Sequence, residues 1–169
     1  MHETPEEIDR LQALLDRSAA GAGAHLRSII TDDRRLSARE LCRRLTGMRL
    51  LVLATVTADG RPLAGPVDGY LLHGAFHFSS GRDAVRTHHL AARPSVSATH
   101  LPGEELAVTV HGRAELFELD DPAHGDLRRA MLDHYLPLQG PAFETWLDGA
   151  DAVGARIEAD RMFTFHLDG

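Results

Sequence analysis

The chain opens with hydrophobic positions spaced for a helix. Ile8, Leu11, Leu14 and Leu15 share one face. Thr4-Pro5-Glu6-Glu7 supplies the start, with Thr4 as N-cap, Pro5 at the first helical position and Glu7 closing a capping box. Gly21-Ala22-Gly23 interrupts this helix, and residues 24–30 form another turn or two before Thr31-Asp32-Asp33 breaks the pattern. Ser37 and Glu40 repeat the capping-box spacing, and a short helix through Leu45 stops at Gly47.

Beyond Gly47 the period shortens. Residues 48–57, rich in Leu, Val and Thr, read as a buried strand. Asp59-Gly60 predicts a hairpin turn with both positions at positive φ, and residues 62–72 return as a strand in which Pro66 forces a bulge or a local edge. His73-Gly74 turns again into a strand over 75–80. A helix over 82–92 ends before Pro94, and 95–101 is a fourth strand. Pro102-Gly103 turns into a long strand over 106–119, bent at Gly112. Asp121-Pro122 caps a helix carrying Leu127, Met131 and Leu132; residues 141–147 form one more short helix. Strands over 153–158 and 162–167 finish the chain.

Seven short strands joined mostly by turns, without a regular βαβ alternation, predict a mainly β (α+β) fold: an antiparallel barrel with peripheral helices. We expect one domain over 1–169, with 1–47 as an N-terminal helical extension and 48–169 as a barrel with inserted helices. Composition narrows the function more than the fold. No apolar run approaches the ~20 residues of a membrane span, and the acidic start lacks the features of a signal peptide. Cys42 is the only cysteine, which precludes an internal disulfide and suits a cytoplasmic setting. The net charge of −7 argues against a nucleic-acid partner. Lysine is absent, so all 18 fixed side-chain cations are arginines.

The most informative stretch is Phe76-His77-Phe78-Ser79-Ser80-Gly81-Arg82, running on to Arg86 and Leu90. It reads as an aromatic strand ending in hydroxyls and opening into a helix with two arginines near its start. Hydroxyls, free helix N–H groups and guanidinium are the donors a phosphate monoester needs. The competing reading is an ordinary strand-to-helix loop with solvated arginines.

The order of these pieces resembles the FMN-binding split barrel of the pyridoxamine 5′-phosphate oxidase-like family. The matching residues are Leu51-Val52-Leu53-Ala54-Thr55-Val56, Asp59-Gly60-Arg61-Pro62, Gly65-Pro66-Val67, the strand ending in Ser79-Ser80, Arg86, Leu90-Ala91-Ala92-Arg93-Pro94 and Ser95-Val96-Ser97-Ala98. The resemblance implies a homodimer with a flavin between protomers. It assigns Ser79, Ser80 and Arg86 to the cofactor phosphate, with Arg82 as a second arginine. Ala64, Gly65, Pro66 and Val67 would lie along the isoalloxazine ring. Asp68 stands where the family often has an aromatic residue. The implied activity is flavin-dependent redox chemistry on a small molecule. No catalytic residue is named, since the cofactor carries the hydride or electrons. The C-terminal segment around Arg161 and His166 lacks the arginine pattern of true pyridoxamine phosphate oxidases, which argues against vitamin B6 oxidation. Two alternatives stay open: F420 in place of FMN, with Arg82, Arg86 and Arg93 lining a wider groove, and a non-enzymatic flavin or haem binder.

Other candidates read more simply. His88 and His89 point about 100° apart on a helix and cannot grip one metal ion as a pair. His73, His77, His100 and His111 show no metal-ligand spacing. His166 is a haem ligand only by analogy with haem-handling relatives and otherwise a solvent-facing strand residue. Asp32-Asp33 and Asp120-Asp121 read as caps. Gly21-Ala22-Gly23 is not a dinucleotide fingerprint, Ser79 lacks a nucleophile elbow, and Trp146 reads as a packing anchor.

Overall fold

A computed structural model describes residues 3–167. Helices α1 (Pro5–Ala20), α2 (Ala24–Ile29) and α3 (Ala38–Arg44) precede strands β1 (Met48–Val56), β2 (Pro62–Leu72) and β3 (Ala75–Gly81). Helix α4 (Val85–Ala92) leads to β4 (Ser95–Gly103) and β5 (Leu106–Glu118). Helices α5 (Gly125–Gln139) and α6 (Ala142–Gly149) precede β6 (Ala152–His166). The strands close an antiparallel barrel in the order β1-β2-β3-β6-β5-β4. No helix among the described residues is long and apolar enough to cross a membrane.

The two capping boxes form as their sequences require: Thr4 with Glu7, and Ser37 with Glu40. Inward positions Leu51, Leu53, Phe76, Phe78, Val108, Val110, Ile157 and Met162 fill the barrel, and Ile8, Leu11, Leu14, Leu15, Leu41 and Leu45 from α1 and α3 join the same core. The N-terminal helices are therefore part of the barrel's packing. Ser18 fastens α1 further, because its buried hydroxyl accepts the Met162 N–H on β6 at 2.9 Å. A second core lies on the outer face of β2, where Tyr70 and Leu72 meet Leu127, Met131, Phe143 and Leu147 of α5 and α6.

Several expectations are corrected. The last two strands are one strand. β6 pairs with β5 throughout, from Val153↔Glu118 to His166↔Leu106, and absorbs the polar Asp160 in a bulge opposite His111 and Gly112. The barrel thus has six strands instead of seven. The Asp59-Gly60 turn places only Gly60 at positive φ (85°), with Gly60 N–H donating to the Thr57 carbonyl, so it is a three-residue loop. The turn with two positive φ values is His73-Gly74, at 54° and 75°. Pro66 causes no bulge; its register with Val52 is continuous, and it lies at a local edge because β3 joins β2 only from Gly69 onward. Helix α4 begins three residues later than expected, behind a turn at Arg82. Trp146 is 62% exposed and tilts against Phe143, and His166 is buried and does not face solvent.

The strained His73 is held from both sides. Its Nδ1 lies 3.1 Å from a Glu7 carboxylate oxygen and its Nε2 lies 2.8 Å from Asp126. The Asp126 hydrogen bond raises its pKa most, against a smaller lowering by burial, with Glu7 adding to the rise. This pair of bonds therefore stabilises the fold below the unfolded value and is lost as pH rises through the raised one. Exchanging His73 for Gln should remove the decline in stability measured by urea unfolding between neutral and mildly alkaline pH; an unchanged decline would show that another group causes it.

Candidate functional site

Alternation along the strand decides which face each residue of 64–67 serves. Val67 is buried in the barrel core, so only its backbone can meet a ligand. Ala64 and Pro66 face outward, opposite Ala54 and Val52 of β1. Because β3 pairs with β2 only over Gly69–Leu72, the preceding stretch has an open edge. The Pro66 carbonyl points to that edge, where Arg86 Nη1 donates to it at 3.0 Å. The missing N–H of Pro66 costs no ladder bond there.

Arg86 is thereby brought from α4 onto β2. A Cβ at Gly65 would stand 3.5 Å from its Nη2, an ordinary contact, so the guanidinium lies against the Gly65–Pro66 backbone. On the outward face of β1, Val52 opposite Pro66 and Leu50 opposite Asp68 are apolar and exposed, at 54% and 59%. Ser79 and Ser80 lie at the end of β3, paired with Gly154 and Val153 of β6. Both are half-buried, and they project to opposite faces as strand neighbours must. Neither hydroxyl makes a hydrogen bond among the described residues.

Arg82 goes elsewhere. It lies in the turn before α4, where its Nε donates to Asp151 at 2.7 Å and its two terminal nitrogens grip Glu118 at 3.2 and 2.6 Å. Its pKa is raised by Glu118 first and Asp151 second, and the Glu118 carboxyl is lowered in return by Arg82. A hollow of about 260 Å³ between Arg82, Thr87, His88, Phe117 and Glu118 lies behind this cluster. Arg93 donates through Nε to the Val56 carbonyl at 3.0 Å and anchors the end of β1. The three arginines are thus held by different parts of the barrel. The N-cap of α4 is Ala84, which offers no capping side chain, and Thr87 Oγ1 donates back to the Gly81 carbonyl at 2.8 Å.

Four histidines of the barrel and α4 are spent on structure. His77 is buried and its Nδ1–H donates to the Ala75 carbonyl at 3.1 Å. His100 Nδ1–H donates to the Leu50 carbonyl at 2.9 Å. His89 pairs with Thr55 at 3.0 Å and His111 with Ser97 at 2.8 Å. Among the described residues, no three His, Cys, Asp or Glu side chains converge as a metal site. A larger cavity, about 990 Å³, lies between α1, α2 and the Met162–Thr164 end of β6, and contains none of the residues above.

Sequence reasoning did not find one polar pair on this face. Tyr135 of α5 donates its hydroxyl to Asp68 Oδ2, two residues beyond Pro66 on the same face of β2. The partners are 67 residues apart, and no local pattern signals them.

With this geometry in place, the comparisons with known proteins are decisive for family. The model described as Pyridoxamine 5′-phosphate oxidase matches residues 38–162, three quarters of the chain. The chain belongs to the pyridoxamine 5′-phosphate oxidase family. No curated protein matches the sequence. Among solved structures, the conserved hypothetical protein Rv2991 of Mycobacterium tuberculosis superposes with a TM-score of 0.65 at 21% identity, covering 80% of this chain and 88% of its own. The haem storage protein HutZ of Vibrio cholerae reaches 0.62 at 19% identity, over 78% and 95%. An FAD-binding protein of Mesorhizobium loti reaches 0.55 at 25% identity, over 80% and 98%. The first two likenesses establish the shared fold. This family's barrel therefore occurs in proteins described by different cofactors, and the residues of the chain itself carry the rest.

Proposed function

We propose that the protein is a homodimeric flavin-dependent oxidoreductase that holds FMN against the open edge of β2. The observation that carries this reading is Arg86, seated on the Pro66 carbonyl at the open edge of β2. The residues fit the cofactor in three respects. Arg86, with one of the unbonded hydroxyls of Ser79 and Ser80, which project to opposite faces, matches a phosphate monoester. The edge of β2 over 64–67, left without a strand partner by β3, matches the polar rim of an isoalloxazine. Leu50 and Val52 are exposed side by side on the outward face of β1, which supports a second copy of the chain closing over them. Bound there, the flavin supplies hydride or electron transfer, while the chain orients it, shields the ring and keeps its phosphate neutralised. Arg82, tied to Glu118 and Asp151, takes a supporting role in fixing the turn before α4. The FAD-binding relative supports a flavin over an unrelated ligand.

The test is direct. The purified protein is examined for a visible spectrum and the released ligand identified by mass; F420 or haem in place of FMN would replace the cofactor assignment. Exchanging Arg86 for Ala should weaken FMN at least tenfold more than riboflavin in a fluorescence titration, since a charge-assisted bond to phosphate is lost only with FMN. Equal losses for the two flavins would overturn the phosphate site.

A further inference from the structure

The face that carries Ala64 and Pro66 continues into a polar cluster the cofactor does not require. Asp68 follows Pro66 by one side-chain step, roughly 7 Å along the strand, and lies opposite the exposed Leu50 of β1. It is half-buried, and one of its two oxygens accepts the Tyr135 hydroxyl. No arginine pairs with it among the described residues, and no hydrogen bond occupies its other oxygen. Tyr135 is itself fixed by a stacked contact with Phe143 at 4.6 Å, which roots the pair in the core between α5 and α6. Burial, followed by the Asp68 hydrogen bond and charge, pushes the Tyr135 phenol up to about 12, so it remains a donor at any working pH.

A second phenol belongs to the same cluster. Tyr70 lies two residues beyond Asp68 on the same face, is 1% exposed, and its hydroxyl has no hydrogen-bond partner among the described residues. Its ionisation is opposed by burial and then by Tyr135 and Asp68. Neither phenol neutralises the carboxylate. A carboxylate oriented by a rooted phenol, with an oxygen to spare and no counter-cation, is a recognition element for a hydrogen-bond donor or a cation.

We infer that Asp68, oriented by Tyr135, is a specificity-determining residue that selects substrates carrying an amine, amidine or similar cationic donor group beside the ring-binding segment. This assignment rests on the reading of 64–67 as the ring site. Asp68 touches the substrate; Tyr135 is a positioning residue that acts through it. A ligand carrying a carboxylate in the same place meets a like charge at close range and is rejected.

The experiment uses two planar probes of one shape and opposite charge, benzamidine and benzoate. Each is titrated into the FMN-supplemented protein by calorimetry, with the flavin spectrum recorded in parallel. Wild type should bind benzamidine at least tenfold more tightly than benzoate and perturb the flavin spectrum as it does so. Asp68→Asn should abolish that preference while FMN affinity stays unchanged. Tyr135→Phe should lose part of the preference, again with FMN affinity and thermal midpoint unchanged, which a merely structural role would not produce. Equal affinity for the two probes in wild type, or a preference that survives Asp68→Asn, overturns the proposal whether or not flavin is bound. Absence of flavin uptake with an intact, Asp68-dependent preference overturns the cofactor reading instead and leaves the donor site supported.

Discussion

Exchanging Gly112 for Ala should destabilise the protein by about 3 kcal/mol or more, the range in which core overpacking meets an unyielding neighbour. The glycine lies in β5 opposite the bulge of β6. A Cβ there would land on the Glu158 carbonyl oxygen, 2.9 Å from its carbon and 3.0 Å from the Ala159 Cα. All three atoms are backbone, so no side chain can rotate away. Relief would have to come from shifting β6, which is bonded to β5 on one side and β3 on the other. Gly60, whose added Cβ would meet nothing within 4 Å, provides the comparison. Its exchange for Ala should cost about 1 kcal/mol, for φ alone. Urea midpoints measured on the two variants decide the matter; similar losses would mean the bulge is plastic.

Acidification should weaken the fold through His77. Burial is the main cause that lowers its pKa from 6.5 to about 4, with Arg156 nearby adding to the shift and the Ala75 carbonyl bond opposing it. A depressed pKa means that the unfolded chain takes up the proton first. The neutral ring's contribution is complete above pH 6.5 and is lost as pH falls from 6.5 towards 4. Over that window the loss amounts to about 3 kcal/mol. The ring meets Phe117 edge-on, and Phe117 in turn stacks on His124 at 3.9 Å, so the charge would appear inside an aromatic layer. Exchanging His77 for Gln should flatten the unfolding free energy between pH 7 and 4. A variant that keeps the parent slope would assign it to other groups. The His73 contribution, of opposite sign, falls in a separate range above pH 6.5.

What the chain displays locally was legible, and what depends on distant partners was not. Both capping boxes use residues three apart, so Thr4-Glu7 and Ser37-Glu40 are visible in the sequence and present in the fold. Pro66 announced an edge through its missing N–H. Arg82 gave no such sign. Its position outside α4 follows from Asp151 and Glu118, which lie 69 and 36 residues away. The unity of β6 was hidden because Asp160 and Arg161 look like a turn until β5 is there to pair them. Of the residues expected to serve a cofactor's phosphate and ring, Arg86 and Gly65-Pro66 meet in space, while Val67 turns its side chain into the core. Tyr135 and Asp68 met only through the docking of α5, which no window of the sequence contains.

The single long β6 also fixes when the barrel can be completed. β3 and β5 both wait for it, and β3 ends 70 residues before β6 begins. During synthesis two strand edges therefore stay open until β6 has left the ribosome. Closure is a late, long-range event, and a nascent chain stalled before residue 152 would expose paired templates for aggregation. A chain that still lacks β6 is the form most in need of a chaperone.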